Sequence, residues 1–264
     1  EHDLMPVTAD FLVELGTEEL PPKALKDLER AFAEGLRSRI SAAGLDGGEV
    51  RSFATPRRLA VLISALRCEQ PPQKLEKRGP PLKVAFDGAG KPTRAALAFA
   101  EGCGVEVAAL EKLETPQGAW LVYRGESGGR PAAELLPAMV AEALAELPVP
   151  RRMRWGASHV EFVRPVHWLV MLLGHDVVEC EILGLKAGRH TRGHRFMSGG
   201  SLEVKSPAEY ENVLRTEGFV VADFAARRDQ VRQGAEHAGL ALGGEAIVDA
   251  AVLDEVTALV EWPV

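Results

Sequence analysis

Basic side chains in short runs are the groups of this sequence whose types and spacing could do chemistry. Residues 151–155 read RRMRW and place an indole ring beside three guanidinium groups. Residues 55–58 read TPRR and present two guanidinium groups on a rigid turn. Guanidinium groups pair with phosphates and aromatic rings stack on unpaired bases, so both runs are typical of contact with RNA. Trp155 fits a core anchor equally well, and the sequence leaves both alternatives open.

The loop at residues 188–200 is rich in glycine and carries a third set of basic groups. His190 and His194 lie four residues apart, a spacing that can bind a metal ion when it falls on a helix. Gly188 and Gly193 disfavour a helix, and no carboxylate or cysteine stands close by as a third ligand. We therefore predict no metal site. Such a loop suits phosphate and sugar contacts, and a solvated or internally paired loop is the alternative.

The basic groups of these three segments form the set of candidate RNA-binding residues. They are Arg57, Arg58, Arg151, Arg152, Arg154, Arg189, Arg192, His194 and Arg195. Residues 51–100 carry a net charge of +7 and residues 151–200 one of +4, within a chain of net charge −7. A local basic face can hold phosphates even on an acidic protein. The alternative is a solvated surface whose charges are unevenly spread.

Other chemical motifs fail or are absent. The nearest approach to a phosphate-binding P-loop has Ala85 where glycine is required and Pro92 where serine or threonine is required. Proline also removes a backbone N–H that such a loop would direct at phosphate. The sequence contains no G-x-S-x-G, H-E-x-x-H or Rossmann glycine pattern. We therefore expect no ATP site at this loop and no catalytic residue in this chain.

Three glutamates, Glu14, Glu18 and Glu19, form an acidic cluster near the start of the chain. Such a cluster can orient arginines or favour a helix N-terminus. Without a known geometry we assign it no acid–base role.

Composition indicates a soluble globular protein of more than one domain. The chain has 264 residues, 46% of them hydrophobic and 26% charged. Its three cysteines lie far apart, which suits a reducing compartment. The longest apolar stretch, residues 166–173, is much shorter than the roughly 20 residues that span a bilayer. Residues 1–10 lack the apolar core of a signal peptide. We expect a cytoplasmic protein with neither a membrane nor DNA as partner.

Hydrophobic periodicity predicts the elements that must position the basic runs. Alternation and β-favouring residues predict strands at 11–15, 50–54 and 59–66, while apolar spacings of three and four predict a helix over 24–43. The polar, proline-rich residues 68–81 are typical of a linker. The same patterns predict further helices at 93–103, 131–147, 206–217, 223–238 and 244–256 and strands at 120–126, 163–173, 177–183 and 202–205.

These elements predict an α+β, multidomain fold. Residues 1–72 and 150–202 form a domain with a mixed or antiparallel sheet, which the strands after residue 160 rejoin. Residues 76–149 form an inserted small α+β domain. Residues 203–264 begin a further, mostly helical and truncated domain.

Seven runs, in order along the chain, resemble the bacterial glycyl-tRNA synthetase β subunit family. They are FLVELGTEELPPKAL at 11–25, FATPRRL at 53–59, KRGP at 77–80, MRWG at 153–156, FVRP at 162–165 with Trp168, TRGHRF at 191–196 and EWPV at 261–264. They are distributed in order over essentially the whole chain.

The resemblance implies a larger enzyme. A β subunit of this family is much longer and continues into an HD-like region and an anticodon-binding domain. It pairs in an α2β2 ligase with a smaller α subunit, which carries the glycyl-adenylate chemistry with ATP and Mg²⁺. We therefore expect an N-terminal fragment that is inactive alone, has no cofactor of its own, and has the α subunit and tRNA-Gly as partners.

Three functional hypotheses follow. In the first, the chain positions tRNA and helps to hold the catalytic subunit. In the second, it is a scaffold or docking module whose arginines are paired internally and touch no RNA. The third, a metal hydrolase built on His190 and His194, requires a bound metal.

Overall fold

A computed structural model describes residues 7–116, 118–149, 151–155 and 159–264. The chain divides into two compact units, a main unit of Glu1–Glu69 with Arg130–Val264 and a small unit of Gln70–Gly129. Both units contain helices and at least one sheet, so the predicted α+β, multidomain class with an inserted small unit is confirmed.

The described residues form fourteen strands and seven α-helices. The strands are β1 (Thr8–Thr17), β2 (Val50–Thr55), β3 (Arg58–Arg67), β4 (Gln73–Pro81), β5 (Glu111–Thr115), β6 (Gly118–Ser127), β7 (Met153–Arg154), β8 (Glu161–Phe162), β9 (Val166–Leu173), β10 (Asp176–Val177), β11 (Glu181–Ile182), β12 (Leu185–Gly188), β13 (His190–Arg192) and β14 (Ser201–Glu203). The helices are α1 (Leu25–Ala42), α2 (Leu82–Ala85), α3 (Arg94–Cys103), α4 (Ala132–Ala145), α5 (Tyr210–Thr216), α6 (Phe224–Ala241) and α7 (Ala250–Thr257).

The main sheet has the strand order β11-β12-β9-β1-β3-β2, and β10 extends from β9. Strand β1 lies at its centre, antiparallel to β3 on one side and to β9 on the other. The predicted return of the chain to its first sheet after residue 160 is therefore confirmed. Strands β13 and β14 form a separate ribbon, as do β7 and β8.

Alternation along β1 divides its side chains between two cores. Phe11, Val13 and Leu15 pack into the larger core, which α1 and α4 also line. Leu12 faces the opposite core. Because side chains alternate along a strand, Glu14 shares the face of Leu12, and it is fully buried there.

Helix α1 confirms the predicted amphipathic stripe. Its buried positions follow the spacings of three and four read from the sequence, namely Leu25, Leu28, Phe32, Leu36 and Ile40. Burial of each such side chain contributes about 1.5–3 kcal/mol. The chain leaves the helix through Gly44, whose φ of +70° favours glycine.

Helix α4 lies in the main unit, although the sequence boundary of 76–149 assigned it to the inserted domain. Its Leu136, Val140 and Leu144 are buried in the same core as α1. Arg39 of α1 also pairs with Glu142 at 3.1 Å. The apolar face of α4 needs that core, which explains why the insertion ends at residue 129 rather than 149.

Residues 203–264 likewise belong to the main unit rather than to a separate domain. The buried Arg227 on α6 donates to the carbonyl oxygens of Ala54 at 2.7 Å and Thr257 at 3.1 Å. One side chain therefore joins β2, α6 and α7.

The small unit contains the sheet β4-β6-β5, with α2 and α3 around a core that includes Ala85, Ala96 and Leu121. The linker prediction for residues 68–81 is wrong over Gln73–Pro81, which form β4. Pairing with β6, for example Lys77 with Tyr123, overrides the local proline signal. Prolines are tolerated here because β4 is an edge strand.

In the described ranges, no helix is both long and apolar enough to cross a membrane.

Candidate functional site

A buried polar network on the second face of the main sheet forms the centre of the candidate site. The Glu14 carboxylate accepts hydrogen bonds from Trp168 Nε1, Thr191 Oγ1 and Tyr210 OH, each at 2.5 Å. Arg58 Nη1 donates to the same carboxylate at 3.1 Å. Strands β9, β13 and β3 and helix α5 therefore all converge on one side chain of β1.

Arg58 is fully buried and is the cation of this network. It makes five hydrogen bonds, to Thr55, Glu14, Thr191, the carbonyl oxygen of Arg192, and Glu261. Five is the full donor capacity of a guanidinium group. Although it was a candidate RNA contact, Arg58 is a structural residue here, because no donor remains for a phosphate.

Burial and charge act in opposite directions on the ionisable groups of the network. Burial alone lowers the pKa of Arg58, but Glu14 and Glu261 more than offset it and the pKa is raised. Burial, with the Glu14 carboxylate beside it, raises the pKa of Tyr210 well above its ordinary value. Arg58 is therefore charged and Tyr210 neutral, which matches their hydrogen bonds to Glu14.

Gly16 makes room for the indole that closes the network. It is paired with Arg58 on β3 and with Trp168 on β9. A Cβ at position 16 would lie 1.9 Å from the Trp168 ring. The ring therefore lies across the backbone of β1, and only glycine leaves space for it.

Three guanidinium groups surround Trp168. Those of Arg57, Arg58 and Arg192 lie 5.6–5.7 Å from the ring centre, within the range of cation–π attraction. Arg192 is exposed, while Arg57 is only 8% exposed. Two separate candidate segments, 55–58 and 188–200, are thus brought together by this indole.

Arg57 lies in the tight turn between β2 and β3. The turn is fixed because Thr17 N donates to Arg57 O at 2.9 Å and Leu20 N donates to Pro56 O at 2.6 Å. Burial lowers the pKa of Arg57, although Glu261 opposes that effect. Its side chain lines a cleft of about 250 Å³ that also touches the 188–200 loop and the segment 259–262.

The acidic cluster orients arginines, which is one of the two alternatives that the sequence left open. Glu14 pairs with Arg58, while Glu18 and Glu19 pair with Arg195 at 2.7 and 3.2 Å. The pKa of Glu18 is lowered, first by its hydrogen bond to Arg195. Arg195 is half exposed but already neutralised, which makes it a weaker candidate for phosphate than its position in the loop indicated.

The remaining candidate arginines contact their own surroundings. Arg154 pairs with Glu161 at 2.5 Å, and Arg152 donates to the carbonyl oxygen of Ala145. Arg151 is exposed, and Arg189 donates to the carbonyl oxygen of His175 at 3.0 Å. None of these contacts involves Trp168 or a residue that lines the cleft beside Arg57. Gly156, the last residue of the MRWG run, lies outside the described residues.

The structure shows the surroundings of Trp155 and of His194. Trp155 is partly buried against the main core. His194 packs 6.1 Å from Phe196, ring centre to ring centre. Within the described ranges, no group of three or more histidine, cysteine or acidic side chains could hold a metal ion.

Tyr210, Thr191 and Glu261 are the site residues that sequence reasoning missed as a network. Each lies far along the chain from its partner: Tyr210, for example, is 196 residues from Glu14. No local pattern reports such pairs. The only signals were indirect, because Thr191 and Glu261 fall inside family-like runs.

Comparison with known proteins bears on the same residues. A family model described as glycyl-tRNA synthetase beta subunit matches residues 11–264, a stretch that includes every member of the network. The chain belongs to this family. It is 55% identical over 258 residues to the glycine–tRNA ligase beta subunit of Marinobacter nauticus, across 97% of this chain and 37% of that relative.

Other glycine–tRNA ligase beta subunits are similar over the same extent. The identity is 52% over 254 residues with that of Hahella chejuensis and 52% over 255 residues with that of Pseudomonas aeruginosa. These alignments cover 96% and 97% of the chain, but only 37% and 36% of the relatives. The chain thus spans a little over a third of the length of the curated relatives it matches, and the family resemblance seen in its sequence is confirmed.

Proposed function

We propose that this chain is the part of a glycine–tRNA ligase β subunit that positions tRNA-Gly for ATP-dependent glycylation. The observation that carries the proposal is the side chain of Arg192, exposed and unpaired among the described residues. It is exposed, its guanidinium is held 5.6 Å from the centre of the Trp168 ring, and no hydrogen bond or ion pair of its side chain is found in the described part of the chain. A fixed, unneutralised cation is a favourable phosphate contact.

In this proposal, a separate subunit carries out the chemistry of glycine activation. A β subunit by name requires a partner, and we propose a catalytic α subunit that holds ATP and Mg²⁺ in an α2β2 enzyme. This chain would then hold no cofactor and be inactive alone. Its three free cysteines fit an enzyme of the cytoplasm.

Charge reversal at Arg192 tests tRNA positioning. The assembled ligase with Arg192→Glu should lose roughly 5- to 20-fold in kcat/KM for tRNA-Gly, since a phosphate contact becomes a repulsion, while KM for glycine and ATP stays unchanged. Arg215→Glu, an exposed arginine on α5, is the matched control. Equal tRNA kinetics in the two variants would contradict the proposal.

A scaffold without RNA contact is the second candidate function, and the pairing of Arg58 with Glu14 and Glu261 favours it. Under that function Arg192→Glu leaves tRNA affinity intact. The amount of α subunit that co-elutes with the β subunit would fall instead, which size-exclusion chromatography measures.

A further inference from the structure

Arg57 is a buried cation, and two nitrogens of its guanidinium group lack a hydrogen-bond partner in the described chain. Its Nε and Nη1 atoms are inaccessible to solvent and have no hydrogen-bond partner there. Burying a charge without a partner is costly, so folded proteins normally supply one.

The other two buried arginines of the described residues are satisfied. Arg58 makes five hydrogen bonds. Arg227 donates to the carbonyl oxygens of four residues. Two of the three arginines that are buried as whole residues in the described chain thus have partners. Arg57 is the exception, and it is the one that lines a cleft.

The carboxylates of that cleft are already engaged. Glu19 pairs with Arg195 at 3.2 Å. Glu261 accepts from Thr55 at 3.0 Å and from Arg58 at 3.3 Å. Arg57 is therefore the cation that remains for an anion entering from solvent.

An aromatic surface lies on the same cleft. Phe196 is 87% exposed, and the ring of His194 stands beside it. At that exposure the ring of Phe196 contributes no burial energy to the fold. An unpaired base can stack on it. The volume of about 250 Å³ lies just below the range of small-ligand pockets and suits one nucleotide unit.

We infer that this cleft is a subsite for a single nucleotide, in which Arg57 binds the phosphate while Phe196 and His194 stack on the base. The inference rests on the proposed function and gives it a specific contact. A phosphate in the cleft would offset the charge of the Arg57 guanidinium, and such a charge-assisted pair is short and strong.

The experiment titrates the full-length β subunit with AMP and, separately, with a fluorescent single-stranded RNA pentamer. Arg57→Met and Phe196→Ser should each weaken binding, Arg57→Met by about 10- to 100-fold because a charge-assisted hydrogen bond is lost. Arg215→Gln and Ile247→Ser are the matched controls, since both residues are exposed and outside the cleft. Tighter binding of the pentamer identifies an RNA strand as the source, and equal binding identifies a free nucleotide.

Thermal unfolding without nucleotide separates a binding role from a structural one. Arg57→Met removes an unsatisfied buried charge, so its Tm should rise above that of the parent protein. A fall in Tm would assign Arg57 to the fold and overturn the inference. So would unchanged affinities in Arg57→Met and Phe196→Ser, or no binding of either ligand. The kcat/KM for tRNA-Gly of the Arg192→Glu ligase is a separate measurement, and its outcome does not depend on these results.

Discussion

Single residues explain how a charge can be buried on the second face of the main sheet. Glu14 lies at a strand position whose neighbours are apolar, yet three neutral donors and one arginine make it compatible with the interior. The sequence left open whether the acidic cluster orients arginines or favours a helix N-terminus, and the structure shows it paired with arginines. The sequence did not indicate Tyr210 or Thr191, because their partner lies nearly 200 residues away and no local spacing encodes that contact.

Removing the hydroxyl of Tyr210 tests the strength of this network. Tyr210→Phe leaves one oxygen of the buried Glu14 carboxylate short of a donor, so the free energy of unfolding should fall by about 1.5–3 kcal/mol. Urea titration measures it. Tyr123→Phe, at the only other tyrosine, should change stability by less than about 0.5 kcal/mol. Equal values for both variants would show that the hydrogen bond contributes nothing.

The raised pKa of Tyr210 gives stability a defined dependence on pH. The folded state keeps the phenol proton at pH values where the unfolded chain releases it, so the contribution is complete below about pH 10 and declines as pH rises above that value. In urea titrations between pH 9 and 11, the parent protein should lose more stability than Tyr210→Phe. Parallel pH profiles for the two proteins would contradict this sign.

At the scale of elements, hydrophobic periodicity predicted the helices and strands whose pattern is contained in their own residues. The apolar stripe of α1 and the alternation of β1 are visible in the sequence because each follows from its own residues. Strand β4 was missed because prolines mark a linker locally, whereas its pairing with β6 is set by a strand some 45 residues away. Helix α4 was found but assigned to the inserted domain, since its partner α1 is distant in sequence.

Gly16 tests how closely β1 and β9 must approach. Gly16→Ala places a methyl group inside the Trp168 ring, so it should cost about 3 kcal/mol or more in unfolding free energy. Gly199→Ala is the control, because a Cβ there meets no atom within 4 Å. A Gly16→Ala protein as stable as the control would mean that the indole can move aside freely.

At the scale of the whole molecule, the small unit is an insertion whose ends meet. Glu69 and Pro131 form a β-bridge, and Ala132 N donates to Cys68 O at 2.7 Å. The main unit keeps α4 and its core without any residue from Gln70–Gly129. Its fold should therefore not depend on the insertion.

Excision of the insertion tests this organisation. Replacing residues 70–129 with a four-residue glycine-rich linker should preserve cooperative thermal unfolding, since the linker closes a hairpin-like pair. Replacing residues 76–149 removes the buried face of α4 and should abolish the cooperative transition. Circular dichroism distinguishes the two. Loss of cooperativity after the shorter excision would show that the main unit needs the insertion.

The most direct test of tRNA positioning is the salt dependence of tRNA-Gly binding by the full-length β subunit. We expect the slope of log K against log salt to fall by about 0.7–0.9 in Arg192→Glu and to stay unchanged in Arg215→Glu, because each phosphate contact releases its share of counterions. An Arg192→Glu slope equal to that of the parent protein would contradict the proposal and leave the scaffold function in its place.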